Sequence, residues 1–130
     1  MKARVVDTAV AQYLFEHSTP PDPLLQELAA ETAAVTGDRA GMQISPDQGT
    51  LLTMITQMVD PDVAVEVGTF TGYSSICIAR GLSGGTLHCF DISEEWTAVA
   101  RRYWERAGVA ERVTLTLGPA LESLRGFRQE

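Results

Sequence analysis

Two hydrophobic periodicities divide this chain near Pro61. Ahead of it, apolar residues recur every three or four positions, which lines up one face of a helix. Val5, Val6, Ala9, Val10, Tyr13 and Leu14 do so between Arg4 and His17, and the Ser18-Thr19-Pro20-Pro21-Asp22-Pro23 cluster ends that helix. Asp22 is placed to cap a second helix with Pro23 at its first position, and Leu24, Leu25, Leu28 and Ala29 make its apolar face. Gly37 to Gly41 reads as a loop. Ser45-Pro46-Asp47-Gln48 is a helix start, with an N-cap serine, a proline next and Gln48 three residues on. Leu51, Leu52, Met54, Ile55 and Met58 continue this third helix towards Asp60-Pro61.

Past Pro61, short apolar runs alternate with helical stretches. Val63–Val67 reads as a strand, Tyr73–Gly81 as a helix turning Ile76, Ile78 and Ala79 inward, and Ser83-Gly84-Gly85 as a turn. Thr86–Asp91 follows as a strand, Glu94–Ala107 as a helix and Arg112–Leu117 as a third strand. Strands joined through helices imply right-handed crossovers and a parallel sheet. The fold class is therefore α/β: a Rossmann-like, doubly wound parallel sheet, of which about three strands fall on this chain, preceded by N-terminal helices. Residues 1–60 form a helical region, expected as a lid or dimer interface. Residues 61–130 form the first half of a ligand-binding domain.

Composition narrows the function classes. At 130 residues the chain is one domain or less, and a 45% hydrophobic and 21% charged make-up is that of an ordinary globular protein. A net charge of −7 argues against nucleic acid, whose binders carry a basic stripe. Arg101, Arg102 and Arg106 cluster, but Glu94, Glu95 and Glu105 share their segment, so a solvated helix face is expected. No stretch approaches the roughly 18 apolar residues of a membrane span. Met1 to Asp7 lacks an apolar core with a cleavage site, so no signal peptide is expected and the expected location is cytoplasmic. Cys77 and Cys89 sit in apolar settings and read as buried thiols, without metal-ligand spacing or a neighbouring His and carboxylate set.

Candidate chemistry gathers around Val65-Glu66-Val67-Gly68-Thr69-Phe70-Thr71-Gly72-Tyr73-Ser74. Here a buried strand runs through a glycine-bearing turn into a helix. Gly68 and Gly72 allow a sharp turn and the close approach of a ligand. Glu66 points opposite to Val65 and Val67, towards a ligand crevice or solvent, and suits a cationic ligand better than a pyrophosphate. Backbone N–H groups at Tyr73 and Ser74, in the first helical turn, can hold a carboxylate. Asp91 ends the next strand, where dinucleotide folds place an acid on ribose hydroxyls. It also resembles a helix N-cap, although Ser93 can supply that cap itself. A ligand with an ammonium, a carboxylate, a ribose and a base satisfies all of these, and S-adenosylmethionine is such a ligand. Ile92 would then lie against the adenine, or pack in the core. A nicotinamide or flavin dinucleotide is the rival, but Phe70 occupies the middle glycine position of its fingerprint.

From Met42 onwards the chain closely resembles the small-molecule O-methyltransferase family that includes caffeoyl-CoA and catechol O-methyltransferases. The matching segments are Met42-Gln43-Ile44-Ser45-Pro46-Asp47-Gln48-Gly49, Glu66 to Ser74, Asp91, and Gly118-Pro119-Ala120-Leu121. The resemblance implies that Ile44, Gly68 and Thr69 line the methionine end of the cofactor, that Glu66 and Ser74 hold its polar groups, that Asp91 takes the ribose, and that Ala120 lies on the adenine side. For Ile44 and Ala120 the alternative is core packing. It also implies a small hydroxylated acceptor, aromatic and catechol-like, and a homodimer. A divalent metal such as Mg2+ is implied too, but its aspartate and asparagine ligands follow a later strand that this sequence does not reach. His17 and His88 are not expected to replace them, and no catalytic residue is assigned. A truncated binding or dimerisation module without catalysis is the alternative function.

A sheet of this kind places its first strand centrally, so Val63, Val65 and Val67 are expected to present an open apolar edge, which invites association. The chain is therefore expected to be part of a longer parent or to pair with another copy. Size-exclusion chromatography on a dilution series is expected to show self-association of the isolated chain; a dilution-resistant monomer would contradict this.

Overall fold

The computed structural model describes residues 7–127. Its elements run α1 (Thr8–His17), α2 (Pro23–Thr36), a 3-10 turn (Gly37–Met42), α3 (Pro46–Val59), β1 (Val63–Val67), α4 (Tyr73–Gly81), β2 (Thr86–Asp91), α5 (Glu94–Arg106), a short 3-10 turn (Ala110–Arg112), β3 (Val113–Leu117) and α6 (Ala120–Gly126). Three of the six α-helix starts among the described residues, those of α1, α2 and α5, carry a side-chain cap. Asp22 accepts from the Leu25 N–H at 2.9 Å, and Ser93 from the Trp96 N–H at 3.2 Å. Ser45 takes the N-cap position of α3, but its hydroxyl makes no capping bond, and Pro46 at the first position starts the helix by its fixed φ. The segment read as a loop is a 3-10 turn instead. Gly37 ends α2 at φ 54, and the chain then tightens through Met42. The expected start of the first helix, Arg4 to Val6, lies outside the described residues.

The three strands are parallel in the order β1-β2-β3, with Val65 opposite His88 and Cys89 opposite Leu115. Because side chains alternate, Ala64, Glu66, Leu87, Cys89, Val113 and Leu115 share one face. That face meets the helical layer, where Leu28, Ile76, Ala79, Ala100 and Tyr103 are buried. The opposite face carries Val65, Val67, Thr114 and Thr116, all exposed, and is covered in part by Phe127 against His88 and Phe90. Among the described residues, no strand pairs with the outer edge of β1.

The arginines of α5 do more than face solvent. Arg102 and Arg106 pair with Glu31 and Glu27 of α2, and the Tyr103 hydroxyl donates to Glu31 at 2.8 Å. The Arg102 hydrogen bond holds the Glu31 carboxyl below its ordinary value. These bridges are exposed and contribute modestly, so their value is in aligning α2 with α5.

Helix α3 packs on α4 through small residues and not through its apolar ones. Thr53 Oγ1 donates to the Cys77 carbonyl at 2.9 Å. A Cβ at Gly49 would lie 2.9 Å from Cys77 Sγ, and one at Gly81 would lie 2.7 Å from the Thr56 Cβ and 2.8 Å from the Thr53 carbonyl oxygen. Leu51, Met54, Ile55 and Met58 point outward, with Met58 74% exposed. Because the clash at Gly81 involves backbone, Gly81→Ala is expected to destabilise the fold by about 1–3 kcal/mol, the usual range for overpacking. Urea denaturation measures this, and an unchanged midpoint would show that the two helices are not so close.

Candidate functional site

The three strand ends converge on one turn. The Gly68 N–H donates to the Phe90 carbonyl at 2.8 Å, and the Gly118 N–H to the Asp91 carbonyl at 2.9 Å. Between β1 and α4 the chain passes three times through left-handed backbone, at Gly68 (φ 87), Phe70 (φ 54) and Gly72 (φ 92). Gly72 is required twice over, since a Cβ there would also meet Ala100 Cβ at 2.7 Å. Phe70 has no such licence, and it is held by contacts. Its N–H donates to Asp91 Oδ2 at 2.8 Å, and its ring meets Trp96 edge-on at 5.0 Å. Thr71 hydrogen-bonds Thr32 at 2.7 Å in the interior, which ties the turn to α2.

Two adjoining cavities open beside this turn. The larger, about 400 Å³, is lined by Gly68, Asp91 and Ala120 together with Met42, Phe70 and Trp96. The smaller, about 60 Å³, is lined by Ile44, Gly68, Thr69 and Ser74. Met42, Gly68 and Phe70 belong to both, so the two form one cleft, of the size that small-molecule sites usually have. Six of the seven sequence-assigned residues thus line it. The seventh, Glu66, stands behind Ser74 on the helix-covered face of the sheet, where it accepts a hydrogen bond from the Ser74 hydroxyl and faces the Cys89 thiol. Ile92 is 76% exposed at the rim of the larger cavity and is not a core residue. A cavity of about 860 Å³ between α1 and the starts of α2 and α3 is lined by none of the seven.

The polar groups of the cleft have spare capacity. Asp91 Oδ1 accepts from the Ser93 N–H and Oδ2 from the Phe70 N–H, both at 2.8 Å. A carboxylate has about four lone-pair sites, so two remain, and a vicinal diol supplies two donors. Thr69 is 1% exposed, and its hydroxyl lies close enough to the Glu66 carboxyl to favour the ionised form, yet completes no well-formed hydrogen bond. A buried polar group in that condition is expected to find a partner, and here it borders the cleft. Both observations fit a ligand carrying a ribose and an ammonium-carboxylate end.

Burial dominates the electrostatics around Ser74. It raises the Glu66 carboxyl above its ordinary value, which the hydrogen bonds from Ser74 and Cys89 only partly oppose. It likewise pushes Cys77 up to about 11 and raises Cys89 further, so both thiols, free and buried, are unreactive. Among the described residues, no cluster of three or more His, Cys, Asp or Glu is placed to hold a metal ion. His17 stacks on Tyr13 at 3.9 Å, and His88 packs on Phe127 at 4.8 Å.

Residues 15–130 match the family model described as O-methyltransferase. The chain belongs to the O-methyltransferase family. Among family relatives, caffeoyl-CoA O-methyltransferase 2 of Petunia hybrida is 32% identical over 95% of this chain and 51% of its own length. Catechol O-methyltransferase of Mycobacterium tuberculosis is 34% identical over 79% of the chain and 46% of its own. The chain thus spans about half the length of the curated relatives it matches. Among solved structures, the O-methyltransferase of Bacillus cereus in complex with SAH is 38% identical, with a TM-score of 0.81 over 91% of this chain and 53% of that one. TomG of Streptomyces achromogenes, in complex with SAM and involved in tomaymycin synthesis, is 30% identical, with a TM-score of 0.80 over 90% and 52%.

Trp96, Met42 and the ring of Phe70 are among the cleft residues that sequence reasoning did not assign. Trp96 stands three residues past the Ser93 cap, in the first turn after β2, and that position was the available signal. The raised Glu66 carboxyl yields a pH test. Folded protein keeps a proton that the unfolded chain releases once pH passes about 4.5, so stability falls as pH rises from there through the folded-state value and then levels. Glu66→Gln is neutral throughout, and its urea midpoint is expected to lack that decline. Parallel pH profiles for the two proteins would mean that Glu66 is not buried as described.

Proposed function

We propose that this chain is the cofactor-binding portion of an S-adenosylmethionine-dependent O-methyltransferase that methylates a hydroxyl of a small aromatic, catechol-like molecule. The observation that carries the reading is Asp91: a carboxylate at a strand end, braced by two backbone donors, with capacity for two more, in the wall of a cleft of about 400 Å³. The SAH and SAM bound to the relatives from Bacillus cereus and Streptomyces achromogenes support the choice of ligand. The relatives named for caffeoyl-CoA and catechol support the class of acceptor.

When bound, S-adenosylmethionine supplies an activated methyl group on a sulfonium. The work of this chain is to fix its orientation, so that the acceptor oxygen can approach in line with the departing sulfur. Asp91 takes the ribose hydroxyls. Ile92, Trp96 and Ala120 give the base an apolar slot. Ser74, the first-turn N–H groups of α4 and the Thr69 hydroxyl take the ammonium-carboxylate end, with Glu66 supplying negative charge behind Ser74. Ile44 and Gly68 shape the path between the two ends. The metal implied by the resemblance finds no ligand cluster among the described residues, and no step is assigned to it. The region 1–60 is read as a lid or subunit interface. The uncovered apolar residues Val10, Tyr13 and Leu14 of α1 support that reading, as does the bare edge of β1 for a homodimer or a longer protein.

Titration calorimetry with S-adenosylhomocysteine tests the proposal. The chain is expected to bind it and not NAD. Asp91→Asn and Glu66→Ala should each weaken binding by about 10–100-fold, the size of a lost hydrogen bond to a charged group. Undiminished affinity in both variants, or preference for NAD, would overturn the reading.

A further inference from the structure

The 3-10 turn Gly37–Met42 borders the cleft through Met42 and meets one of its lining residues, Trp96, through Arg39. Met42 lines both cavities. Arg39 places its guanidinium carbon 5.4 Å from the centroid of the Trp96 ring. Trp96 also meets Phe70, edge-on at 5.0 Å and an interplanar angle of 81°. Arg39, Trp96 and Phe70 therefore form a continuous ladder from the helical region to the strained turn after β1. Among the described residues Arg39 forms no ion pair, in contrast to Arg102 and Arg106, whose guanidinium groups are held by carboxylates. Tryptophan is the best aromatic partner for a cation, and an exposed pair of this kind is weak enough to open and close on binding.

We propose that Arg39 and Trp96 form a latch that closes the Gly37–Met42 turn over the nucleoside end of the cofactor, a role that rests on the S-adenosylmethionine reading above. Arg39 is a positioning residue: it touches Trp96, and Trp96 lines the slot for the base. The fixed side of the latch is the α5 start, where Ser93 caps the helix and Asp91 braces Phe70. The movable side is the 3-10 turn, whose Cys-free, glycine-flanked run Gly37-Asp38-Arg39-Ala40-Gly41-Met42 buries no residue. Lifting Arg39 opens the rim at Met42. Its return holds the ligand in.

The chain's two tryptophans make this measurable. Trp104 is buried and donates to Ser75 Oγ at 2.8 Å, so it is a constant signal, while Trp96 reports on the latch. In stopped-flow fluorescence with S-adenosylhomocysteine, Arg39→Met is expected to speed both association and dissociation. Net affinity should fall by roughly two- to fivefold, the size of one exposed cation–π contact. Arg39→Lys should restore part of the slow dissociation. A contact that merely stabilised the turn would not speed entry, so unchanged or slower association in Arg39→Met would overturn the latch. In the free protein, Arg39→Met is expected to change the tryptophan emission, and the change should vanish in a Trp96→Phe background. No change overturns the latch without recourse to any ligand. Failure of the unaltered chain to bind S-adenosylhomocysteine would overturn the functional reading and the latch together, whereas normal binding with unchanged rates in Arg39→Met overturns the latch alone.

Discussion

The carboxylate of Asp91 accepts two backbone hydrogen bonds that join the ends of β1 and β2, from Phe70 across the turn and from Ser93 along its own chain. Phe70 sits in left-handed backbone, a conformation that costs a side-chain-bearing residue about 1–3 kcal/mol. A hydrogen bond to a charged acceptor contributes about 1.5–3 kcal/mol, enough to offset it. The Asp91 carbonyl adds a third link, to Gly118, so one residue sets the turn before α4, the entry to α5 and the loop before α6. Every wall of the cleft descends from one of these three segments or from the helical region that leans on them. The strain at Phe70 is thus maintained by the acid that offers its remaining lone pairs to a ligand, and site geometry and ligand chemistry depend on the same group.

Much of this was legible in the chain, for reasons that also explain what was not. The three strands past Pro61 and the two helices between them follow from local periodicity and from Gly and Pro punctuation, and their observed bounds agree with the expected ones to within a residue, whereas α6 was not expected. The parallel order follows from connection length. The packing face of α3 was not legible, because apolar periodicity points to Leu51, Met54, Ile55 and Met58 while close approach to α4 selects Gly49, Thr53 and Thr56. Asp91 illustrates a different limit. Its sequence context admitted a ribose contact or a helix cap, and it braces both the turn and the helix entry while Ser93 caps α5. Phe70 reads in sequence as a missing glycine. Its backbone supplies the left-handed geometry that a glycine would, and its ring builds the wall shared with Trp96. That wall needs contacts between segments about 25 residues apart, which no local pattern reports.

The sheet inverts the usual placement of polar and apolar groups at its first strand. Val65 and Val67 lie on the exposed face while Glu66 is turned into the helical layer beside Cys89. Hydrophobic burial alone would favour the reverse register, since a single-residue shift exchanges the faces. The register is held instead by the ladder to β2, by Gly68 continuing it, and by the Ser74 hydroxyl that receives Glu66 at the start of α4. An arrangement that buries an acid and leaves valines bare is unfavourable for an isolated sheet. It is intelligible if the acid meets a cation and the valines meet further protein. On the proposed reading, an ammonium group arriving near Ser74 would favour the ionised form of Glu66, opposing the effect of burial. Ligand binding and proton release would then be linked through Glu66, and the cost of burying the acid would be recovered only when the cleft is filled.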